Sequence, residues 1–393
     1  MRMLTLALFE QLLRPQGQAA IAAAQELDLS PNTLLSDIAA LRKQFAPDLV
    51  AAAVETVQLR RRARAKWSRA DEMYFEREAL EQATGEIVAR HRARRYADVS
   101  GPIFDLCCSI GGDLLGLAIA GDVVGLDRDP LRLAIAQTNA AVYGVADHVT
   151  LQHADVAAWE APPGALLFFD PARRAGGRRR WSPNDYAPPL RTIERWLPHA
   201  AGLGVKVAPG IDYDALPYEC EVEIISVAGE VKEACLWFGA LRRGVRRATL
   251  LPANVSLEYA PVEAVPVVEP LRYLYEPDGA VIRAHLIEQL ADQLGAAKID
   301  AEIAFLTSDD LVFTPFARAF AVIETLPFNL KRLRARLRDL DVGQVVVKKR
   351  GSPLDPQQFA QQLRLKGSRT LTVVLTCVRG QPSVILCEPV ERE

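Results

Sequence analysis

Through the first 95 residues, apolar side chains recur at intervals of three and four, the period of helices lying against a core. Leu34, Leu35, Ile38 and Leu41 form one such series, and Ser30-Pro31-Asn32 ahead of it offers a cap and a first-turn proline. A second helix is predicted over roughly 51–66, and 72–95 holds one or two more, interrupted near Thr84-Gly85. The first 13 residues faintly resemble a secretory leader. Their apolar run is short, however, Glu10 interrupts it, and no clear small-residue cleavage site follows, so a buried first helix is expected.

From Ile103 the pattern changes. Short apolar runs bounded by Gly, Asp or Pro (103–107, 123–127, 149–153, 166–170, 204–207, 222–227 and 234–239) alternate with helical segments such as 130–143 and 188–197. Strands alternating with helical crossovers imply a parallel, doubly wound sheet. The last two runs leave no room for a helix between them and predict an antiparallel edge. Residues 240–275, rich in Pro, Val and Glu, read as a loop-rich connector with room for short strands. A smaller α+β unit follows: helix 281–294, extended pieces near Phe305 and Phe320, helix 329–340, strand 344–348, helix 356–365, and a hairpin of 371–378 with 383–387.

The predicted fold is therefore α/β, a Rossmann-like doubly wound sheet with an N-terminal helical domain and a small C-terminal α+β domain. The expected boundaries are 1–95 for the helices, 96–245 for the sheet, 246–310 for the connector and 311–393 for the last unit.

Composition narrows the function classes. No apolar stretch approaches the roughly 20 residues that a membrane helix requires, and the expected location is the cytoplasm. The six cysteines form no Cys-x-x-Cys pair and the five histidines do not cluster with them, so neither a disulfide framework nor a metal site is expected. Net charge is only −2, yet arginines gather at 60–64, 90–95, 173–180, 242–247 and 331–338. Such clumps allow a local basic face, although helical arginine runs are more often a solvated surface.

Four carboxylates, Asp105, Asp127, Asp155 and Asp170, fall at the ends of four successive predicted strands. One aspartate there is an ordinary turn residue. Four in order point to one site, because ligands of such sheets bind beyond the carboxyl ends of the strands. Ser109-Ile110-Gly111-Gly112 lets the backbone approach a ligand closely. Asp127, about 20 residues past the turn, has the offset of a carboxylate receiving ribose hydroxyls. A dinucleotide dehydrogenase would share these features, but the G-x-G-x-x-G fingerprint is missing. Asp105 suits a cation with a free amino group better than a phosphate. A sulfonium amino acid joined to adenosine meets both requirements, and Asp155 is then placed to accept from the adenine amine.

Residues 105–113, Val124 to Pro130, Ala134 to Gly144 and Asp155 resemble the cofactor motifs of class I S-adenosylmethionine-dependent methyltransferases. The stretch 139–145 is similar to the trimethylguanosine synthase and RNA guanine methyltransferase branch. From about residue 66 onward, 75–84, 170–174, 205–210 and 229–239 resemble bacterial methyltransferases with a C-terminal THUMP-like domain. The resemblance implies S-adenosylmethionine as cofactor, held by Asp105, Cys107, Ser109, Gly111, Gly112, Asp127, Arg128, Asp155 and Val156. It also implies that an upstream segment, here Gln82, Ala83 and Thr84, closes over it.

Asp170-Pro171-Ala172-Arg173 sits where amino-group methyltransferases carry Asp/Asn-Pro-Pro-aromatic. An exocyclic amine is a poor nucleophile because its lone pair is delocalised. Asp170 and the Pro171 carbonyl could accept its two hydrogens and stabilise the developing charge. Here Ala172 replaces the second proline and Arg173 the aromatic; a guanidinium can stack on a base, or Trp181 or Tyr186 could supply a ring. The expected catalytic residues are Asp170, Pro171 and Arg173. The arginines of 173–180, spaced by Gly176-Gly177, could grip phosphates or merely cover the cofactor. The leading expectation is methylation of an exocyclic amine of a base in tRNA or rRNA, with the last domain docking RNA. The alternatives are a small-molecule or protein methyltransferase, and an RNA scaffold that keeps the cofactor without transfer. The sequence does not fix the oligomeric state.

Overall fold

The computed structural model describes residues 4–173 and 186–391, with Arg173 described by its backbone alone. The expected basic loop of 174–180 and Trp181 lie outside the described residues, as does the Arg173 side chain. The chain forms two compact units, one from residues up to 221 with 235–243, the other from 222–234 with 244 onward.

In the first unit, α1 (Leu6–Leu13), α2 (Pro15–Gln25), α3 (Leu34–Leu41), α4 (Pro47–Ala63), α5 (Arg77–Gln82) and α6 (Glu86–Ala97) precede the first strand. Pro15 and Pro47 open α2 and α4, where a missing amide leaves no helical bond unmade. The predicted helix over 51–66 thus starts earlier, at Pro47. The start expected at Pro31 is corrected: residues 31–33 form a turn, the Ser30 carbonyl takes the Thr33 and Leu34 amides, and α3 begins at Leu34. The break near Thr84-Gly85 separates α5 from α6. Phe9 and Leu12 of α1 are fully buried and share one apolar core with Val50, Leu114, Ile135 and Phe168, so the helices and the sheet bury each other's faces.

Two arginine runs turn some of their members inward, Arg60 from the first and Arg92 and Arg95 from the second, while Arg62, Arg64, Arg90 and Arg94 face solvent. Arg60 is buried, donates to the Met73 carbonyl at 2.8 Å and lies 4.8 Å over the Tyr74 ring. Arg95, equally buried, makes two bonds to Glu221 at 2.7 and 3.0 Å and stacks 4.4 Å over Trp237. Arg92 pairs with Asp113 and lies 4.3 Å over Phe168.

The sheet of this unit is built from β1 (Ile103–Leu106), β2 (Val123–Asp127), β3 (Val149–His153) and β4 (Leu166–Phe169). Between them lie α7 (Leu114–Ala120) after β1 and α8 (Pro130–Tyr143) after β2. A two-stranded ribbon, β5 (Ala172–Arg173) with β6 (Tyr186–Ala187), then leads to β7 (Gly202–Val207). The parallel order is β7-β4-β1-β2-β3, with Ile103 opposite both Val123 and Leu166. Direction of winding reverses between β1 and β4, which opens a crevice at their carboxyl ends. Asp129 caps α8 by accepting from the Leu131 amide at 2.9 Å, and Gly144 at φ 69° ends it. The helix expected over 188–197 is only a 3-10 turn at Leu190–Arg195, because Pro188-Pro189 holds the entering backbone extended.

β8 (Glu221–Val227) and β9 (Glu230–Gly239) are neighbours joined through Ala228-Gly229, both left-handed at φ 51° and 83°. The stretch read as a connector adds β10 (Arg246–Leu251), parallel to β8, and β11 (Val255–Glu258), antiparallel to β10. The rest of the second unit runs β12 (Tyr273–Pro277), α9 (Gly279–Arg283), α10 (Ile287–Leu294), β13 (Ala297–Lys298), β14 (Leu306–Ser308) and β15 (Ala317–Pro327). It ends with α11 (Leu330–Asp339), β16 (Val342–Lys349), α12 (Pro356–Leu363), β17 (Arg369–Val378) and β18 (Gln381–Pro389). Its sheet has the order β13-β14-β12-β15-β18-β17-β16. The helix predicted over 281–294 is two, split where His285 turns left-handed at φ 54°. Asn329 caps α11, which buries Leu333 and Leu337 and turns its arginines outward, as its pattern predicted. No described helix is long and apolar enough to cross a membrane.

Candidate active site

The backbone after β1 makes a turn that most residues resist. Cys107 (φ 67°), Ser109 (φ 50°) and Gly111 (φ 93°) all occupy the left-handed region, and two of them carry side chains. The surroundings hold them there: the Cys108 amide donates to the Leu126 carbonyl at 2.9 Å and the Ser109 amide to Asp127 Oδ2 at 2.9 Å. Asn139 of α8 fixes the far side. Its amide nitrogen donates to the carbonyls of Ile110 and Tyr74, each at 3.0 Å, and its oxygen accepts from the Tyr74 amide at 2.9 Å.

This turn walls a cavity of about 270 Å³. Asp105, Asp127, Asp155 and Asp170 all line it, as their order along the sequence predicted. Asp105 is 1% exposed, and neither of its carboxylate oxygens has a partner among the described residues. Burial, then the charges of Asp170 and Asp127, push its pKa up to about 8, with Arg92 and Lys206 opposing. Asp127 is tied by the Ser109 amide and, through Oδ1, by the Asp129 amide at 2.9 Å; a carboxylate so held still has lone pairs to offer. Asp155 accepts the Ala157 amide at 2.9 Å through Oδ1 and is exposed, beside buried Val156.

Gln82, Ala83 and Thr84 form part of the opposite wall. Thr84 Oγ1 donates to Asp113 Oδ2 at 2.8 Å, which links the segment to the Arg92–Asp113 pair. From β7, Lys206 reaches across: its ammonium donates to Asp170 Oδ2 at 2.8 Å, Thr84 Oγ1 at 2.9 Å and the Gln82 carbonyl at 3.1 Å. Gly112 packs so closely that a Cβ there would lie 3.2 Å from the Thr84 amide nitrogen.

Most of the residues singled out from sequence meet here. Gln82, Ala83, Thr84, Asp105, Cys107, Ser109, Gly112, Asp127, Arg128, Asp155, Val156 and Asp170 all line the cavity. Gly111 and Pro171 do not. Gly111 turns the chain behind the wall, where a Cβ would lie 3.5 Å from Ala136, and Pro171 is buried between the two wall residues Asp170 and Ala172. Tyr186 does not present a ring to the cavity: it is 4% exposed, and its hydroxyl accepts the Ala208 amide at 2.8 Å. Lys206 was missed. Its signal was a lysine inside the apolar strand Gly-Leu-Gly-Val-Lys-Val, where an ammonium requires partners.

Asp105 is the test of whether a sulfonium amino acid fits. A buried carboxyl without a hydrogen-bond partner is costly unless something cationic meets it. An α-ammonium group supplies both the charge and the donors. The wall otherwise carries carboxylates, turned backbone and the arginines Arg128 and Arg132, a mixture of charges that suits a zwitterion joined to a nucleoside.

Sequence comparison agrees with this chemistry. The profile of the RNA cap guanine-N2 methyltransferases matches residues 100–174, that of a THUMP domain-like unit matches 317–389, and a domain of unknown function matches 5–63. A crystal structure from Porphyromonas gingivalis, assigned to the methyltransferases, superposes with a TM-score of 0.77 at 20% identity, covering 97% of this chain and 99% of that one, so the two share a fold. Proteins from two strains of Mycobacterium tuberculosis, each described as an uncharacterized S-adenosylmethionine-dependent methyltransferase, are 40% identical over 336 residues, covering 82% of this chain and 91% of theirs. With the orphaned Asp105 at its centre and relatives this near, the chain belongs to the S-adenosylmethionine-dependent methyltransferases.

Proposed function

We propose that the enzyme methylates an exocyclic amine of a base in tRNA or rRNA. The observation that carries this reading is the corner after β4. Asp170 stands on the cavity wall with Oδ2 engaged by Lys206 and Oδ1 without a partner among the described residues. S-adenosylmethionine brings a methyl group already joined to a good leaving group, so the protein's task is to hold and orient. In this reading Asp105 receives the cofactor's amino group, the backbone of Cys107, Ser109 and Gly112 wraps its amino-acid end, and Gly111 shapes that turn from behind the wall. Asp127 and Arg128 flank the ribose, Asp155 accepts from the adenine amine over Val156, and Gln82, Ala83 and Thr84 close the far side.

Asp170 Oδ1 and the Pro171 carbonyl then accept the two hydrogens of the target amine, which turns its lone pair toward the methyl group and offsets the charge that forms. The sequence motif puts Arg173 in the place of the aromatic that stacks on the base. The choice of RNA is supported by the match to an RNA cap guanine-N2 methyltransferase profile and by the THUMP domain-like match. The test is transfer of radiolabelled methyl to bulk RNA from cells lacking the enzyme, followed by nucleoside analysis. Label in an N-methylated base is the expected result, and Asp170→Ala abolishes it while cofactor still binds. Label in protein or metabolites with none in RNA would overturn the proposal.

A further inference from the structure

Behind the cavity wall, bonded to three of its residues, stands a charged group to which the reading above gives no role. Lys206 sits on a strand whose neighbouring residues Val205 and Val207 are buried, and its side chain is 14% exposed. Each of its three N–H groups has a partner: the acceptor-facing carboxylate, the hydroxyl of Thr84 and the carbonyl of Gln82. Two of these partners belong to the segment over the cofactor cavity and the third to the corner where the methyl group is received. A second lysine, Lys66, holds the same segment from outside, donating to the Leu80 and Ala83 carbonyls at 2.8 and 3.0 Å. Lys206 is thus the inner tie and the one that also touches Asp170.

We infer that Lys206 is a positioning and specificity-determining residue: it docks the 82–84 segment over the cofactor and fixes Asp170 so that only hydrogen-bearing acceptors fit. This rests on the role proposed for Asp170. The ion pair holds Oδ2 and removes the carboxylate's freedom to rotate, so Oδ1 faces the acceptor in one orientation. Because the ammonium's donors are all engaged, Lys206 offers none to an incoming group, and Asp170 offers only lone pairs. An amine that brings its own hydrogens is satisfied by such a corner. A ring nitrogen or a carboxylate is left facing like lone pairs, and a carboxylate also meets like charge from Asp170. The class selected is a neutral amine with hydrogens to donate.

The experiment compares Lys206→Met, Lys206→Arg and Asp170→Asn, alone and combined. It reads S-adenosylhomocysteine binding by calorimetry and methyl transfer to bulk RNA at saturating cofactor. Circular dichroism melts confirm folding. For Lys206→Met, product affinity falls about tenfold, the scale of one charge-assisted hydrogen bond, and kcat falls about hundredfold. Lys206→Arg recovers most of both. In the Asp170→Asn background, whose slow residual transfer gives the baseline, Lys206→Met still weakens product binding but lowers kcat no further. An unchanged kcat in Lys206→Met, or the same drop in the Asp170→Asn background, overturns the inference. If Asp170→Asn itself transfers at the wild-type rate, the role of Asp170 fails instead, and the two failures are distinguishable.

Discussion

Replacing Asp105 with asparagine should strengthen the empty protein while disabling it. The carboxyl's pKa is about 8 in the folded state against an ordinary value of 3.8. A group that binds its proton more tightly when folded makes stability fall as pH rises from the unfolded pKa to the folded one. At 1.36 kcal/mol per unit, the slightly more than three units between 3.8 and pH 7 correspond to about 4 kcal/mol lost from the empty protein. Asparagine does not ionise, but its buried amide goes unpaired at a cost of about 1–3 kcal/mol. The difference leaves the variant about 1–3 kcal/mol more stable at pH 7, a rise of a few degrees in Tm. Below pH 4 the advantage disappears, because the wild-type carboxyl is then protonated in both states.

Cofactor binding should move the other way. To meet an ammonium group Asp105 must give up its proton, so wild-type affinity for S-adenosylhomocysteine increases close to tenfold from pH 6 to pH 7. It flattens above pH 8, where Asp105 is already ionised before the ligand arrives. Calorimetry in buffers of different ionisation enthalpy reads the proton released. Asp105→Asn removes both the release and the slope, and weakens binding at pH 8 by about hundredfold, as expected for a lost charge-assisted contact. A variant that binds with the wild-type pH slope, or that melts lower than wild type at pH 8, would refute the reasoning.

Other perturbations report on the frame around the site. Arg95→Ala leaves Glu221 buried without its bidentate partner and should cost about 3–5 kcal/mol in denaturant unfolding. Gly112→Ala places a methyl 3.2 Å from the Thr84 nitrogen and 3.4 Å from Ala83 Cβ, so the closing segment must move outward. Product affinity in calorimetry should fall about tenfold with Tm nearly unchanged, a local steric cost of about 1.4 kcal/mol. Asn139→Ala removes three bonds to buried backbone groups and should lower stability by about 3 kcal/mol, roughly 1 for each bond lost. Unchanged stability there would mean that the turn after β1 is held by other contacts.

The strand-end aspartates were legible because each falls at or just past the end of a predicted strand, and the parallel sheet follows from the alternation with helices. The backbone turn at 107–112 was legible only at its glycines. That Cys107 and Ser109 also turn left-handed depends on Leu126 and Asp127, which are adjacent in space alone. Lys206 carried a local signal, a cation in an apolar strand, but its partners lie 36, 122 and 124 positions away. The inward arginines were hidden for the same reason: nothing near Arg95 announces Glu221, 126 residues later. The shortened helix after Pro188-Pro189 was a local matter that apolar spacing outweighed.

Asn139 clasps Tyr74 with one hand and the turn after β1 with the other, and this bears on how the chain can be divided. Tyr74 and the wall residues Gln82, Ala83 and Thr84 all precede the first strand. A fragment trimmed to begin at residue 100 would keep every strand-end aspartate and still lack one side of its pocket. It would also strip Asn139 of its two bonds to Tyr74 and keep only the one to Ile110. The catalytic sheet is therefore not a portable cassette. Swapping it between relatives, or grafting it onto a different second unit, requires carrying the preceding helices with it.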